Sequence, residues 1–205
     1  MSSGQKKRPA KDDKRNAILQ AAWKLIRHYG YNKTTIEEIA QEAGVGKGTV
    51  YLHFRSKTEI MLALTDLTNQ RIIDEIERIA AGDAPPARRL RQCLLHRIMT
   101  LFDIVSRYPR SQDVIARLLP EIVHRLEGFV RRHGELLGGI VADGVAAGEF
   151  DVADPAATGQ LLARLFELLT PPHYRFGSRK ELERFTDEII DLTLAGISRK
   201  ERRTS

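Results

Sequence analysis

Residues 34–54 constrain the fold of this chain more than any other segment, because they read as two short helices joined by a tight turn. Thr35 can cap the first helix, and a glutamate three residues later can complete a capping box. Gly44 follows where that helix has to end, and glycine tolerates the positive φ of such a turn. Val50 and Phe54 fall on the inner face of the second helix. The inner face of the first helix and the turn are formed by Ile36, Ile39, Ala40, Ala43 and Val45. We expect a helix-turn-helix.

The outer face of the second helix carries the candidate base-reading residues, because that helix of a helix-turn-helix lies in the DNA major groove. Lys47 can donate to guanine O6 and N7, and Thr49 can contact a thymine methyl group. Gly48 has no side chain, which allows close backbone approach and leaves specificity partly dependent on DNA shape. Tyr51 suits a phosphate contact, although it could also be a packing aromatic.

This segment and its flanks closely resemble the DNA-binding domain of the TetR family of transcriptional regulators over residues 12–62. The resemblance starts with the apolar helix 18–26 and Gly30, and ends with the order Thr-Val-Tyr-x-His-Phe and Ser-Lys-x-Glu. It implies a nine-helix all-α architecture, in which a three-helix DNA-binding domain precedes a helical domain for effector binding and dimerisation. No recognisable motif follows residue 65.

The resemblance also implies contacts with the DNA backbone. At His53 it implies a phosphate contact, although the side chain could simply cap the helix end. Thr34 and Thr35 are helix caps first, and TetR-like proteins usually contact a phosphate here. Lys57 begins the next helix, where free N–H groups and a lysine suit phosphate binding. The alternative for Lys57 is a solvated charge.

Net charge is distributed unevenly along the chain. Residues 1–60 contain twelve Lys and Arg against six Asp and Glu, whereas residues 61–205 contain twenty-one of each. All the excess positive charge therefore lies in the predicted DNA-binding segment, as expected for a polyanionic partner. The basic start of the chain is either a solubilising tail or an arm over the phosphates or into the minor groove. Its charges are Lys6, Lys7, Arg8, Lys11, Lys14 and Arg15.

Several other classes of protein are disfavoured. Cys93 is the single cysteine, so no intramolecular disulfide can form, and no Cys/His spacing matches a zinc site. The thiol is interpreted as buried and inert, with redox sensing left open. No signal peptide or bilayer-length apolar run is present, which suits a cytoplasmic protein. No catalytic motif occurs, and Gly44-x-Gly46-x-Gly48 lies between helices rather than after a strand. We expect no enzyme activity, cofactor or metal.

Apolar periodicity and caps predict helices and no strand along the rest of the chain. Pro120 is expected to separate two helices, 111–119 and 121–147. The other predicted helices are 12–29, the two of the helix-turn-helix, 57–80, 87–107, one capped by Asp154 and one capped by Ser178. The predicted domains are a basic disordered arm at 1–11, the helix-turn-helix domain at 12–56, a connecting helix at 57–80, and an effector-binding and dimerisation domain at 81–205.

The resemblance implies a small-effector pocket in the C-terminal domain. The candidate lining residues are His96, Met99, Phe102, Asp103, His124, Phe129, Phe166, Glu167 and His173. Each could instead be ordinary core or a solvated face. The apolar content of the helices predicted for this domain favours a largely lipophilic effector.

The last two helices have broad apolar faces that one chain cannot cover fully. We expect these faces to meet their two-fold mates in a four-helix dimer interface. Its residues are Leu161, Leu165, Leu168, Phe185, Ile189 and Leu192. A two-fold dimer places two recognition helices about 34–36 Å apart on a pseudo-palindrome.

The sequence therefore favours a homodimeric repressor that a small lipophilic effector releases from a pseudo-palindromic operator. A regulator of the same fold that activates, or that answers to a protein partner without a small effector, stays open. A helical enzyme with an accidental helix-turn-helix is disfavoured by the absence of catalytic motifs.

Overall fold

The computed structural model describes residues 11–106, 111–170 and 177–199. Eight helices run through these ranges: α1 Lys11–Tyr29, α2 Ile36–Glu42, α3 Lys47–His53, α4 Lys57–Ala80, α5 Pro86–Ser106, α6 Ser111–Ala146, α7 Pro155–Glu167 and α8 Arg179–Ile197. No strand occurs in the described ranges, where the only β-type pairing is an isolated bridge between Phe150 and Ser198. The predicted all-α class is confirmed. Among the described helices, none is both long and apolar enough to cross a membrane.

The chain divides into two compact units, one ending at Leu67 and the other starting at Thr68. The division falls inside α4, the helix that the sequence predicts as a connection between domains. The first unit has its own apolar core, in which α1, α2, α3 and the start of α4 each bury one face. Its fully buried side chains include Ile18, Leu19, Ile39, Val50, Phe54 and Ile60.

The predicted capping of α2 is present in full. The Glu38 backbone N–H donates to Thr35 Oγ1 over 3.2 Å, and the Thr35 N–H donates to Glu38 Oε2 over 2.8 Å. Gly44 follows the helix with a φ of +66°, in the left-handed region that favours glycine. The turn residue Val45 packs against the core of the unit. Local sequence thus fixes the geometry that brings α3 back across α2.

Ser56 and Glu59 at the start of α4 form only one of the two bonds of a capping box. The Glu59 N–H donates to Ser56 Oγ over 3.1 Å, as expected at the start of α4. The Glu59 carboxylate, however, accepts from the Arg55 N–H at 2.6 Å. Both bonds still satisfy backbone donors that the helix start leaves free.

Pro120 does not separate two helices, and this accounts for eight helices where the sequence predicts nine. α6 is continuous from Ser111 to Ala146. A proline removes one backbone donor and strains the preceding turn, so it marks a probable helix boundary but not an obligatory one. A helix of 36 residues keeps many other backbone hydrogen bonds on both sides of that loss.

The second unit is built around α6, against which α5 and α7 pack. α7 begins as predicted, with Asp154 Oδ1 accepting from the Ala157 N–H at 2.9 Å and Pro155 in the first turn. It ends at Glu167. The buried core includes Ile72, Ile76, Leu90, Leu94, Ile98, Leu137, Ile140, Val141, Leu162, Phe166, Leu182 and Ile190.

Glycines set the distance between α6 and α7. A Cβ placed on Gly159 of α7 would lie 2.2 Å from the backbone nitrogen of Gly138 and 2.4 Å from the carbonyl oxygen of Gly134, both on α6. Contacts this short do not occur for a real side chain, and they involve backbone that cannot rotate away. The two helices therefore cross closely enough that only glycine fits at position 159.

Candidate nucleic-acid interface and buried polar cluster

The outer face of α3 carries the predicted base-reading residues. Burial of Val50 and Phe54 fixes the rotation of this helix, so Lys47 and Tyr51 are exposed. The Lys47 ammonium lies 6.0 Å from the centre of the Tyr51 ring. Thr49, like His53 one turn later, is half-buried, and Gly48 lies in open space, where an added Cβ would meet nothing. Lys47, Gly48 and Tyr51 are thus accessible and Thr49 is partly accessible, and their contacts with DNA stay a prediction.

Lys47 is engaged by a carboxylate on the neighbouring helix. Its ammonium donates to the Glu37 side chain of α2, and both groups are well exposed. This hydrogen bond raises the pKa of Lys47 and lowers the pKa of Glu37. Both groups therefore stay charged at neutral pH. Contact between Lys47 and a base requires exchange of this surface ion pair, which the sequence alone does not reveal.

Thr34 has a structural role that differs from the predicted phosphate contact. Its side chain is 1% exposed, and its hydroxyl donates to the carbonyl oxygen of Gly30 over 2.9 Å. The hydroxyl therefore satisfies a carbonyl at the end of α1, and a phosphate contact by Thr34 stays a prediction. Thr35 is exposed, although its hydroxyl is already used in the capping box.

Lys57 connects the start of α4 to the loop between α1 and α2. Its ammonium donates to the carbonyl oxygens of Tyr31 and Thr34, each over 2.8 Å. It also lies 4.3 Å from the centre of the Tyr31 ring, where a cation is favourable. Lys57 thereby holds the loop between α1 and α2 against the start of α4. This role was missed, because its acceptors lie 26 and 23 residues earlier in the chain.

The second unit contains a buried arginine that was not among the predicted site residues. Arg97 of α5 is 1% exposed. Its Nη2 donates to both carboxylate oxygens of Glu167 on α7, at 3.2 and 2.9 Å. The guanidinium carbon lies 4.5 Å from the centre of the Phe129 ring of α6. The apolar helical face formed by Leu90, Leu94 and Ile98 includes position 97, so its spacing could have revealed this arginine.

Two histidines lie near this arginine. His133 of α6 is buried, with its ring 5.9 Å from that of Phe129. Burial, aided by the positive charges of Arg97 and His96, lowers the pKa of His133 to about 3. Burial also lowers the pKa of His96. The negative charge of Glu75 opposes this shift, and the positive charges of Arg78 and Arg97 add to it. His133 is therefore neutral at physiological pH. Arg97, Glu167, His96 and His133 form a buried polar cluster, in which the fixed charges are those of Arg97 and Glu167.

The predicted pocket residues separate into different environments. Phe129 and Glu167 contact Arg97, and Met99 and Phe166 are buried in the same core. Phe102 is only partly buried against that core. Asp103 lies apart from the cluster and accepts from Arg179 Nε over 3.2 Å near the surface. The side chain of His124, and His173 as a whole, lie outside the described residues.

Cys93 lies on the apolar face of α5 and is fully buried. Burial raises the pKa of its thiol to about 12, and the thiol donates to the carbonyl oxygen of Ile76 over 3.8 Å. A reactive cysteine needs an accessible thiolate. The environment of Cys93 therefore fits an inert core thiol.

We expect the stability of the second unit to fall as pH drops from about 6.5 towards 3. In this window His133 is protonated in the unfolded chain, whereas its lowered pKa of about 3 keeps it neutral in the folded chain. The loss attributable to His133 is about 1.4 kcal/mol for each pH unit in this window. His133→Leu should reduce that slope in urea unfolding at fixed protein concentration. His28→Gln, at an exposed position, should leave it unchanged, and an equal slope in all three proteins would contradict the account.

Two family models match the chain. The model "Bacterial regulatory proteins, tetR family" matches residues 18–64. The model "Tetracyclin repressor-like, C-terminal domain" matches residues 86–190, which is just over half of the chain. The two matches correspond to the helix-turn-helix segment and to most of the second unit.

Relatives and solved structures agree with these matches. The fatty acid metabolism regulator protein of Bacillus subtilis (strain 168) is 22% identical over 184 residues, which covers 89% of this chain and 95% of the relative. A TetR/AcrR-family regulator from Thermobifida fusca YX-ER1 superposes with a TM-score of 0.69 at 26% identity, covering 91% and 100% of the two chains. FadR from Bacillus subtilis, solved in complex with stearoyl-CoA, has a TM-score of 0.60 at 20% identity, covering 89% and 98%.

The helix-turn-helix geometry, the all-helical fold and both family matches lead to one conclusion. This chain belongs to the TetR family and is a DNA-binding transcriptional regulator with a helix-turn-helix.

Proposed function

We propose that this protein is a cytoplasmic homodimeric repressor that binds a pseudo-palindromic operator and is released by a small effector with an apolar body. The observation that carries the proposal is the accessible outer face of α3, presented by the segment that contains all of the chain's excess positive charge. Phosphate neutralisation by that charge supplies affinity, and side chains in the groove supply specificity.

Specificity is assigned to the first turn of α3. Lys47 and Thr49 are the side chains there that can reach base edges, and Gly48 between them allows the backbone to approach closely. Glu37 competes with DNA for Lys47. The operator must therefore present an acceptor, such as guanine O6 or N7, that replaces this carboxylate.

Duplex selection from a random library tests this assignment. Lys47→Ala and Thr49→Ala should each relax the preference at particular operator positions, by about 5- to 150-fold per lost base contact. Tyr51→Phe is the matched control, because loss of a phosphate contact should weaken binding to all duplexes alike. The assignment fails if both alanine variants select the same sequence logo as the unmutated protein.

Dimerisation is assigned to α7 and α8. The side chains of Leu161, Leu165 and Leu168 follow the i, i+4, i+7 spacing of one helical stripe, and all three are exposed in the single chain. Leu192 of α8 is 75% exposed, and Phe185 and Ile189 continue its stripe with partial burial. Apolar stripes of this extent mark an interaction surface. A second copy is the occupant that also supplies the second recognition helix needed to read an operator.

The apolar effector is supported by the core of the second unit and by the relatives. Phe129 lies against the Arg97 guanidinium, and Phe166 and Met99 are buried in the same apolar core. A structural neighbour, FadR, binds stearoyl-CoA, and the relative aligned over 89% of this chain is a fatty acid metabolism regulator. Both facts concern those proteins and favour an effector with a lipophilic body here.

Release requires that the effector bind one conformation better than another. α4 runs without interruption from the helix-turn-helix unit into the second unit. A 100-fold release of operator requires a difference of about 2.7 kcal/mol between the effector's affinities for the DNA-bound and released conformations. We propose that α4 transmits this difference.

A further inference from the structure

We propose that Arg97 binds a carboxylate on the effector, so that the effector is an organic acid with an apolar body. This inference rests on the proposed function and adds the chemical class of the ligand. Three independent observations carry it: the unused donors of Arg97, the neighbouring histidine nitrogens, and the apolar surface around them.

Two buried arginines on α5 differ in how fully their donors are used. Arg89 donates from Nε to the Ala84 carbonyl oxygen, from Nη1 to the Ala80 carbonyl oxygen and from Nη2 to Asp143, at 2.5–2.9 Å. Every nitrogen of its guanidinium therefore has an acceptor. Arg97 is more deeply buried and uses only Nη2, towards Glu167. Within the described part of the chain, Nε and Nη1 of Arg97 have no acceptor.

The histidines beside Arg97 also have unused polar atoms. Nε2 of His96 and Nε2 of His133 are buried without a hydrogen-bond partner among the described residues. Buried polar groups are nearly always hydrogen-bonded, and each exception requires an explanation. Four unpartnered nitrogens on three neighbouring basic side chains form one such exception. A bound group with several acceptor atoms would satisfy both Arg97 nitrogens, and it would also accept from each histidine whose neutral ring carries its proton on Nε2.

The charge of the cluster favours a carboxylate. Arg97 is already balanced in part by Glu167, which directs both oxygens to one nitrogen. A monoanion adds an acceptor for the unused N–H groups without placing two further negative charges in the core, as a phosphate would. Charge-assisted hydrogen bonds from a guanidinium to a carboxylate are among the strongest in proteins. A neutral alcohol would accept fewer bonds and carry no charge.

The surroundings of the cluster require the rest of the ligand to be apolar. The ring of Phe129 lies against the guanidinium, and Phe166 and Met99 are buried in the same core. The remaining charged groups near the histidines, Glu75 and Arg78, bind each other at the surface. The matching ligand is therefore acidic at one end and apolar along the remainder.

The test compares acids with alcohols of the same skeleton on the full-length protein. The probes are straight-chain carboxylates from butyrate to palmitate, together with benzoate, each paired with its alcohol. Binding is read from the melting temperature without DNA, and release is read from a labelled operator duplex. We expect at least one acid to bind about tenfold or more tightly than its alcohol.

Variants at position 97 assign this preference to the guanidinium. Arg97→Lys keeps the charge but removes the planar fork, and it should reduce the preference. The double variant Arg97→Met/Glu167→Gln leaves no unpaired carboxylate, so it should fold, lose the preference and bind the alcohols as before. Arg91→Gln, which removes an ion-paired arginine from the same helix, should keep the preference.

The possible outcomes separate this inference from the proposed function. If no acid is preferred over its alcohol, or if the preference survives in both Arg97 variants, the inference is overturned and water satisfies the unused donors. Release of DNA by neutral compounds equally well would retain the proposed function and reject the carboxylate. Acids that bind through Arg97 without releasing DNA would support the inference and reject effector-controlled repression.

Discussion

Gly159→Ala is expected to destabilise the second unit by about 3 kcal/mol or more, because the added methyl group would overlap backbone atoms of α6. The helices cannot move apart without opening the core that Leu162 and Phe166 of α7 help to fill. The effect should appear as a lower midpoint in urea unfolding of the full chain at fixed protein concentration. Overpacking against backbone is more costly than overpacking against a flexible side chain.

Gly139→Ala is the matched control. Gly139 is exposed on α6 beside Gly138, and an added Cβ would meet nothing within 4 Å. Alanine is the better helix former, so this variant should be unchanged or stabilised by up to about 1 kcal/mol. If Gly159→Ala proves as stable as Gly139→Ala, the close crossing of α6 and α7 is not required by the fold.

Charged residues on the two apolar stripes are expected to abolish tight operator binding. In the double variant Leu165→Glu/Ile189→Glu, two carboxylates would meet the same surface of the second copy, which favours monomers. Each monomer carries one recognition helix, and loss of the linked second contact should weaken operator affinity by about 10²- to 10⁴-fold. Sedimentation velocity gives the oligomeric state, and a duplex titration gives the affinity.

Val145→Glu controls for a new charge at an exposed apolar position outside these stripes. Val145 is exposed on α6, so this variant should stay dimeric and bind the operator normally. The dimer assignment is rejected if the unmutated protein sediments as a monomer at micromolar concentration. It is also rejected if the double variant remains a dimer.

The helix-turn-helix could be predicted because its determinants are local. The capping pair Thr35 and Glu38 lies three residues apart, and Gly44 supplies the positive φ at the turn. Val50 and Phe54 set the rotation of α3 through periodicity alone. These signals fix which residues face outward, and the structure agrees with them.

The roles that sequence reasoning missed depend on contacts between distant residues. Lys57 binds carbonyl oxygens more than twenty residues away, and Arg97 pairs with a carboxylate 70 residues later. Thr34 reads as a surface cap but is buried, and it belongs to the loop that Lys57 holds. Periodicity reports that a side chain faces inward, but not which partner it meets there.

The most direct test of the account is the specificity ratio of the full-length protein at physiological salt. The measurement is the ratio of two dissociation constants. The constant for a scrambled duplex of equal length and composition is divided by the constant for the duplex selected from a random library. We expect a selected duplex with two half-sites one helical turn apart, and a ratio of at least about 10³. Equal affinity for the two duplexes would show that the basic unit binds DNA by charge alone, and would contradict sequence-specific repression.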